Sequence, residues 1–276
     1  MSGPRAFVIG HPIAHSRSPL LHGFWLNSLG LPGSYERVDV TPDGLADFVG
    51  RLRAGAFAGG NVTVPHKTAM LPLIDRLGPA AHAIGAANTL WMEGDTLCAD
   101  NTDASGFIAN LDDEAPDWSA GTCRAVVLGA GGAARAVVHG LLGRGCAVAV
   151  ANRTAAAAEA LALHAGCEAI PWAALPEALS RADLLVNTTV LGMAGQPPLV
   201  LDLEPLPGRA VVCDIVYVPL ETALLRQARA RGNRVVGGLG MLLHQAVPGF
   251  ERWFGMRPTV TAALRAILEA DLRGRS

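Results

Sequence analysis

The stretch VVLGAGGAARAV, Val126 to Val137, decides the fold. An apolar run leads into a turn where Gly129, Gly131 and Ala134 are spaced as G-x-G-x-x-A, and helix-forming residues follow. In a strand–turn–helix unit the first glycine permits the tight turn, and the second lets backbone approach a pyrophosphate. The small third residue lets helix and strand pack closely. The N–H groups and dipole of the helix start then favour phosphate. Glycine-rich turns occur in many α/β proteins. The weight here comes from context, because the motif follows VVL and opens a helix.

Working outward, RAVVLGAG, CAVAVANR, ADLLVNTT and AVVCDIVY are apolar, β-branched runs separated mostly by helix-length stretches. Such strands alternating with helices imply a parallel sheet covered on both faces. The alanine-rich patch at 155–163 predicts plain helix. The end of the second run reads VANRT (150–154), with no carboxylate before Glu159. A cofactor with a free ribose 2′-OH usually meets Asp or Glu there. Arg153 is instead placed to pair with a 2′-phosphate, with Asn152 and Thr154 adding hydrogen bonds. A guanidinium fork suits a phosphate. The alternative is a solvated surface arginine; the pattern favours NADP over NAD.

The first hundred residues alternate short strands and helices. AFVIG (6–10) predicts a buried strand. SPLLHGFWLNSLG (18–30) predicts a helix with Ser18 as N-cap, Pro19 behind it and Gly30 as terminator. YERVDV (35–40) alternates like a strand, and TPDGLADFVGRLR (41–53) predicts a helix capped by Thr41. GGNVTVP (59–65) predicts a strand stopped by Pro65, and KTAMLPLIDRLG a short helix broken at Pro72. TLWMEGDTLCAD (89–100) predicts a hairpin turning at Glu93–Gly94–Asp95. The segment from Gly240 to Ser276 reads as mostly helical.

At 276 residues, and roughly 150 per domain, about two domains are expected. DDEAPDWSAGT, within the boundary region 103–122, reads as an exposed linker, and the glycines of VVGGLG (235–240) allow a hinge at a second crossing. The expected domains are 1–104 plus 240–276, and 105–239. A net charge of −2 with scattered arginines gives no basic field for nucleic acid or an anionic membrane. Five cysteines without close pairs argue against a disulfide framework or a Cys-x-x-Cys site, and suit a reducing compartment. The N-terminus shows no signal sequence and no apolar run is long enough to span a bilayer, so the cytoplasm is expected.

Three short stretches carry candidate chemistry. In NVTVPHK (61–67), Lys67 is the single lysine among 22 Lys and Arg residues. A buried lysine can exchange a proton near neutrality, which arginine cannot. The alternatives are a solvated lysine and a coding bias towards arginine. In GDTLCADNTDASG (94–106), Asp103 is either a helix cap, a role open to Thr102 too, or a partner that orients Lys67. In HPIAHSRSPLL (11–21), the hydroxyls of Ser16 and Ser18 stand before a helix start and can hold a carboxylate without a cation. His11 and His15 have no partner at metal-ligand spacing, and no metal is expected.

In order, GHPIAHSRSP, GGNVTVPHK, GAANTL, DNTD, VVLGAGGAAR, ANRT, NTTVLGM, DIVYVPLET and GGLGMLLHQA resemble the shikimate dehydrogenase family over nearly the whole chain. The resemblance implies two α/β domains flanking a cleft: an N-terminal substrate-binding domain, a Rossmann-like NADP-binding domain, and C-terminal helices returning to the first. It implies reversible reduction of 3-dehydroshikimate by NADPH, by a monomer or homodimer. Lys67 and Asp103 would be the catalytic pair. Ser16 and Ser18 would hold the substrate carboxylate with Tyr217, and Thr63, Asn88 and Gln245 would meet or line the ring hydroxyls. Gly129, Ala130, Gly131, Gly132 and Ala133 would lie at the pyrophosphate. Asn152, Arg153 and Thr154 would meet the 2′-phosphate. Gly238 and Met241 would also line the cofactor, Met241 beside the nicotinamide. Ala157 stands where many members carry a second Arg, Val190 where Ser is usual, and Ala104 where Gly is frequent. The implied rivals are a quinate/shikimate dehydrogenase with relaxed NAD/NADP use and a catalytically silent nucleotide-binding paralogue.

Overall fold

The computed structural model describes residues 3–121 and 123–274. Thr122, at the end of the expected linker, lies outside the described residues, as do Met1, Ser2, Arg275 and Ser276. The chain divides into two compact α/β units. One comprises Met1–Thr102 with Gln245–Leu268, and the other Asp103–His244 with Glu269–Ser276.

The first unit runs β1 (Arg5–Gly10), α1 (Ser18–Ser28), β2 (Ser34–Asp39), α2 (Leu45–Arg53), β3 (Gly59–Val62), α3 (His66–Ala69), β4 (Arg76–Leu77), α4 (Pro79–Ile84), β5 (Thr89–Glu93) and β6 (Thr96–Asp100). Its sheet has the order β2-β1-β3-β5-β6-β4. β1 pairs in parallel with both neighbours, while β5 is antiparallel to β3 and β6. Alternation along β1 builds two cores: Phe7 and Ile9 face one, Ala6 and Val8 the other. The β5–β6 hairpin turns on Gly94 and Asp95, where Gly94 has φ +60°.

The second unit runs α5 (Asp103–Glu114), β7 (Arg124–Leu128), α6 (Gly132–Gly143), β8 (Ala147–Ala151), α7 (Ala155–Ala165), β9 (Glu168–Ala169), α8 (Leu175–Ser180), β10 (Leu184–Asn187), β11 (Val211–Asp214), α9 (Ala223–Ala230) and β12 (Arg234–Val236). Its sheet, β12-β11-β10-β7-β8-β9, is parallel throughout. Val127, Val148, Val150 and Val186 face a core with α5 and α6. Val126, Leu128, Leu185 and Val212 face a second core with α8 and α9. Both faces are therefore apolar, which explains the unbroken hydrophobic runs. Two helices follow, α10 (Leu239–Phe254) and α11 (Ala262–Arg273), and the unit boundary falls inside α10.

Several local expectations need correction. The first helix starts at Ser18 itself; Arg17 holds the cap position without a side-chain cap bond, and the Ser18 N–H reaches back to Ser16 Oγ at 3.3 Å. Thr41 precedes a 3₁₀ turn, Pro42–Gly44, rather than α2, and its side chain makes no cap bond. β3 ends at Val62, although Thr63 and Val64 still exchange backbone bonds with Ile9 and His11. Lys67 consequently lies in the single turn of α3, and the expected helix beyond it becomes a 3₁₀ turn, Leu71–Leu73, and β4. The glycines of VVGGLG lie between β12 and the start of α10. A Cβ on Gly238 would come 2.1 Å from Ile215 O, so close backbone approach requires glycine there.

The expected linker is exposed at most of its described positions, but two of its residues are anchored in the core. Residues 103–114 form α5, and Ala115 and Trp118 are 0% and 5% exposed in the core against α6. Trp118 Nε1 donates to Asp112 Oδ1 at 2.9 Å, and Arg144 pairs with the same carboxylate. The acidic composition concealed one aromatic anchor. Trp118→Ala is expected to lower unfolding stability by about 3–5 kcal/mol, the usual cost of emptying a buried aromatic site. Chemical denaturation measures it; a linker residue would change stability by less than about 0.5 kcal/mol.

Candidate active site

In the first unit, Lys67 and the end of β6 are tied to one short segment. Lys67 O accepts the Ala87 N–H at 2.9 Å. The next residue, Asn88, is 2% exposed, and its Oδ1 accepts the Thr102 N–H at 2.8 Å. Thr89 Oγ1 and Thr102 Oγ1 also donate to that oxygen, at 2.8 and 3.2 Å. Thr102 directly precedes Asp103. The main chain at Lys67 and the residue before Asp103 are thus fixed to neighbouring residues, 87 and 88. Lys67 and Asp103 are both half-buried.

The Ser16–Ser18 loop is held from below. Arg37 donates to Ser16 O through Nε and Nη2 at 3.0 and 2.6 Å, and Ser16 N–H bonds to Ile13 O. Ser16 is half-buried and Ser18 buried. Thr63 is half-buried between β3 and α3, its carbonyl accepting from His66 N at 2.9 Å. Gln245 is half-buried in α10.

In the second unit the remaining positions gather at the carboxyl ends of parallel strands, where open α/β sheets keep their sites. Gly129 follows β7 with φ +109°, and a Cβ there would lie 2.6 Å from Thr188 Oγ1. Gly131 and Gly132, at the start of α6, are exposed, and a Cβ on either would meet no atom within 4 Å. The space above this helix start is open, as close approach of a pyrophosphate requires. Ala130 and Ala133 are half-buried beside them, and Ala134 is fully buried against the core.

Asn152, Arg153 and Thr154 form the turn from β8 into α7. Thr154 has extended backbone at the cap of α7 without a side-chain cap bond, and Asn152 Nδ2 donates to its carbonyl at 3.0 Å. Arg153 is exposed, and its guanidinium has no bonded partner among the described residues. A cation and an uncommitted hydroxyl at a helix start suit a phosphate, so these residues fit NADP. Tyr217 is half-buried beyond β11, Gly238 is buried against Ile215, and Met241 is half-buried in α10.

Two polar clusters escaped the sequence reading. At the ends of β10 and β11, the buried Asp214 accepts from Thr222 Oγ1 at 2.7 Å, Asn187 Nδ2 at 3.0 Å and Val216 N at 3.1 Å. Burial pushes its carboxyl up to about 6 despite these donors. In the first unit, Tyr35 Oη donates to Asn61 Oδ1 at 2.6 Å. Neither cluster has a local motif, since its members come from different strands.

The chain matches known proteins over nearly its whole length. Residues 8–90 match the family model described as shikimate dehydrogenase substrate binding domain, and residues 113–193 that of shikimate / quinate 5-dehydrogenase. Residues 238–268 match the shikimate 5'-dehydrogenase C-terminal domain. The chain is 58% identical over 273 residues, 98% of each chain, to a shikimate dehydrogenase (NADP(+)) of Methylocella silvestris. Among solved structures, the shikimate 5-dehydrogenase of Thermus thermophilus in complex with NADP(H) and shikimate superposes with a TM-score of 0.87 at 40% identity, covering 98% of this chain and 99% of that one. A quinate dehydrogenase from Corynebacterium glutamicum in complex with NAD gives 0.88 at 30% identity, covering 97% and 99%.

The Asp214 cluster generates a pH prediction. Its folded pKa, about 6, lies above the ordinary value of 3.8, so between these pH values the folded chain binds more protons than the unfolded one. The contribution of this group to stability therefore falls as pH rises from about 4 to about 6. Asp214→Asn removes that contribution. The stability of the variant relative to the parent should rise across this window, read as the difference in denaturant midpoints at each pH.

Proposed function

The chain belongs to the shikimate dehydrogenase family, and from that membership we propose that Lys67 and Asp103 run its acid–base chemistry. The enzyme reversibly reduces 3-dehydroshikimate to shikimate with NADPH, in aromatic amino acid biosynthesis. The observation that carries the assignment of the pair is the shared anchorage of Lys67 O on Ala87 and of Thr102, the neighbour of Asp103, on Asn88.

When bound, NADPH supplies the hydride. The chain must then hold the substrate and manage one proton. Ser16 and Ser18 orient the carboxylate with Tyr217, while Thr63, Asn88 and Gln245 meet or line the ring hydroxyls. Lys67 donates the proton to the carbonyl oxygen during reduction and takes it back in the reverse direction. Asp103 orients Lys67 and accepts a hydrogen bond from substrate. Because two coupled groups titrate as a unit, the pH profile reports the pair.

The first unit, Met1–Thr102 with Gln245–Leu268, is the substrate-binding domain, and the second, Asp103–His244 with Glu269–Ser276, the NADP-binding domain, close to the expected 1–104 plus 240–276 and 105–239. Gly129 to Ala133 meet the pyrophosphate, and Gly238 and Met241 line the cofactor. Asn152, Arg153 and Thr154 take the 2′-phosphate, and the uncommitted Arg153 guanidinium favours this reading over NAD use. With Ala157 in place of a second Arg, the clamp is single. The protein works in the cytoplasm as a monomer or homodimer; its five free thiols suit a reducing compartment.

Purified enzyme with shikimate and NADP should generate NADPH, read by absorbance; no rise overturns the proposed activity. Lys67→Ala should lower turnover by about 10²–10⁴-fold, the range for losing an acid–base group. Near-parental turnover would remove Lys67 from the mechanism. Arg153→Ala should raise KM for NADP by about tenfold or more while leaving KM for NAD unchanged, since a charge-assisted phosphate bond is lost. Equal effects on both cofactors would remove Arg153 from the phosphate site.

A further inference from the structure

We propose that Asp214 is a positioning residue for the nicotinamide half of NADP, acting through Asn187 and the loop that follows it. This inference rests on the cofactor site proposed above. The second unit's sheet runs β12-β11-β10-β7-β8-β9, so the chain builds outward from β7 to β9 and then returns to the other side of β7 at β10. The order reverses between β7 and β10, and ligands of open α/β sheets sit beyond the carboxyl ends at such a point. With the 2′-phosphate at Arg153 beyond β8 and the pyrophosphate at residues 129–133 beyond β7, the nicotinamide half continues past β10. The loop after β10, residues 188–191, is therefore one wall of its site. This loop closes against the end of β7, where the Thr188 N–H and hydroxyl both donate to Leu128 O, at 2.9 and 2.6 Å.

One amide sets the shape of that loop. Asn187 closes β10 in register with Leu128 of β7 and Asp214 of β11, and Asn187 and Asp214 are both 0% exposed. Asn187 Oδ1 accepts the Thr189 N–H at 3.0 Å and the Thr189 hydroxyl at 2.8 Å. Thr189 Oγ1 in turn accepts the Leu191 N–H at 3.1 Å. Asn187 Nδ2 donates to Leu191 O at 3.2 Å and to Asp214 Oδ1 at 3.0 Å. Both hydrogens and both acceptor positions of the amide are used, and the loop is wound around the side chain.

Asp214 decides which way the amide faces. Its partners Asn187 Nδ2, Val216 N and Thr222 Oγ1 are all donors. Burial raises the carboxyl only to about 6, so near neutral pH it is ionised and offers acceptors alone. The NH₂ of Asn187 must face it, which leaves the amide oxygen for Thr189. Turned over, the amide would set its NH₂ against the Thr189 N–H and its oxygen against Leu191 O. Val216 N–H reaches the same carboxylate oxygen as Asn187, so the turns after β10 and β11 are set together. A loop freed from this brace spreads over several conformers, and apparent affinity falls with the fraction that can bind.

The test is calorimetric titration of the parent and three variants, without substrate, with NADPH and with adenosine 2′,5′-bisphosphate. The second ligand has the 2′-phosphate but no nicotinamide half. Binding of both to the parent secures the premise; a parent that does not bind NADPH removes the cofactor site before this inference is reached. Asp214→Ala should raise Kd for NADPH by about tenfold and leave Kd for the bisphosphate within about twofold. Asp214→Asn keeps an oxygen for Asn187 and Val216, and should bring Kd for NADPH back to within about threefold of the parent. Thr189→Val removes only the loop hydroxyl, at a half-buried position, and should raise Kd for NADPH by about threefold with the bisphosphate again unchanged. An Asp214→Ala protein that does not fold leaves the decision to Thr189→Val. In a folded variant, parental affinity for NADPH overturns the inference for Asp214→Ala or Thr189→Val alike. So does an equal loss of both ligands, which marks a structural role, or an Asp214→Asn protein as weak as Asp214→Ala.

Discussion

The side-chain oxygen of Asn88 is the point on which the first unit's structure depends where β3, β5 and β6 end or begin. It takes hydrogen bonds from Thr102 N, Thr102 Oγ1 and Thr89 Oγ1 in a site 2% exposed. A buried carbonyl oxygen left empty is costly, so its donors are held where they are. Its backbone is equally committed, with Asn88 O accepting from Val62 N and Asn88 N donating to Asp100 O. One residue therefore joins β3, β5 and β6 where the chain leaves for the second unit. An aspartate here would bring a charge into a dry site, and an alanine would strand three donors.

The second unit solves a different problem chiefly by strand direction. A parallel sheet sends every strand the same way, so the carboxyl ends of its six strands become neighbours along one edge. Glycine is needed where this crowding is greatest. Gly129 approaches Thr188, and Gly238 approaches the Ile215 backbone. Gly131 and Gly132 are different, because nothing of the protein fills the space beside them.

Legibility followed the range of the interaction. The turn at Gly129–Ala134 and the Asn152–Thr154 segment could be read from sequence because strand, turn and helix start are contiguous. The family resemblance extended that reading to residues no spacing could connect, such as Tyr217 and Gln245. Misreadings arose where a neighbour a few residues away changed the outcome. Ser16 takes the Ser18 N–H, so Ser18 begins the helix instead of capping it. Ala115 and Trp118 pin an otherwise exposed, acidic stretch to the core. The short strands β9 and β12 went unseen because Glu168 and Arg234 at their starts interrupt the apolar pattern. The Tyr35–Asn61 bond crosses an intervening strand, and periodicity along one segment carries no trace of it.

The interleaved order of the units bears on how the chain is born. Trp25 Nε1, early in the sequence, donates to Thr259 O at 3.0 Å, and Trp253 Nε1 donates to Leu90 O at 2.9 Å. Neither indole can find its partner until the ribosome has released residues near the end of the chain. The second unit's sheet needs nothing beyond Val236. The portion synthesised first is therefore the last to be finished. Until then its aromatic layer around Tyr35 lacks Phe250 and Trp253, an exposure that a folding chain shields least well.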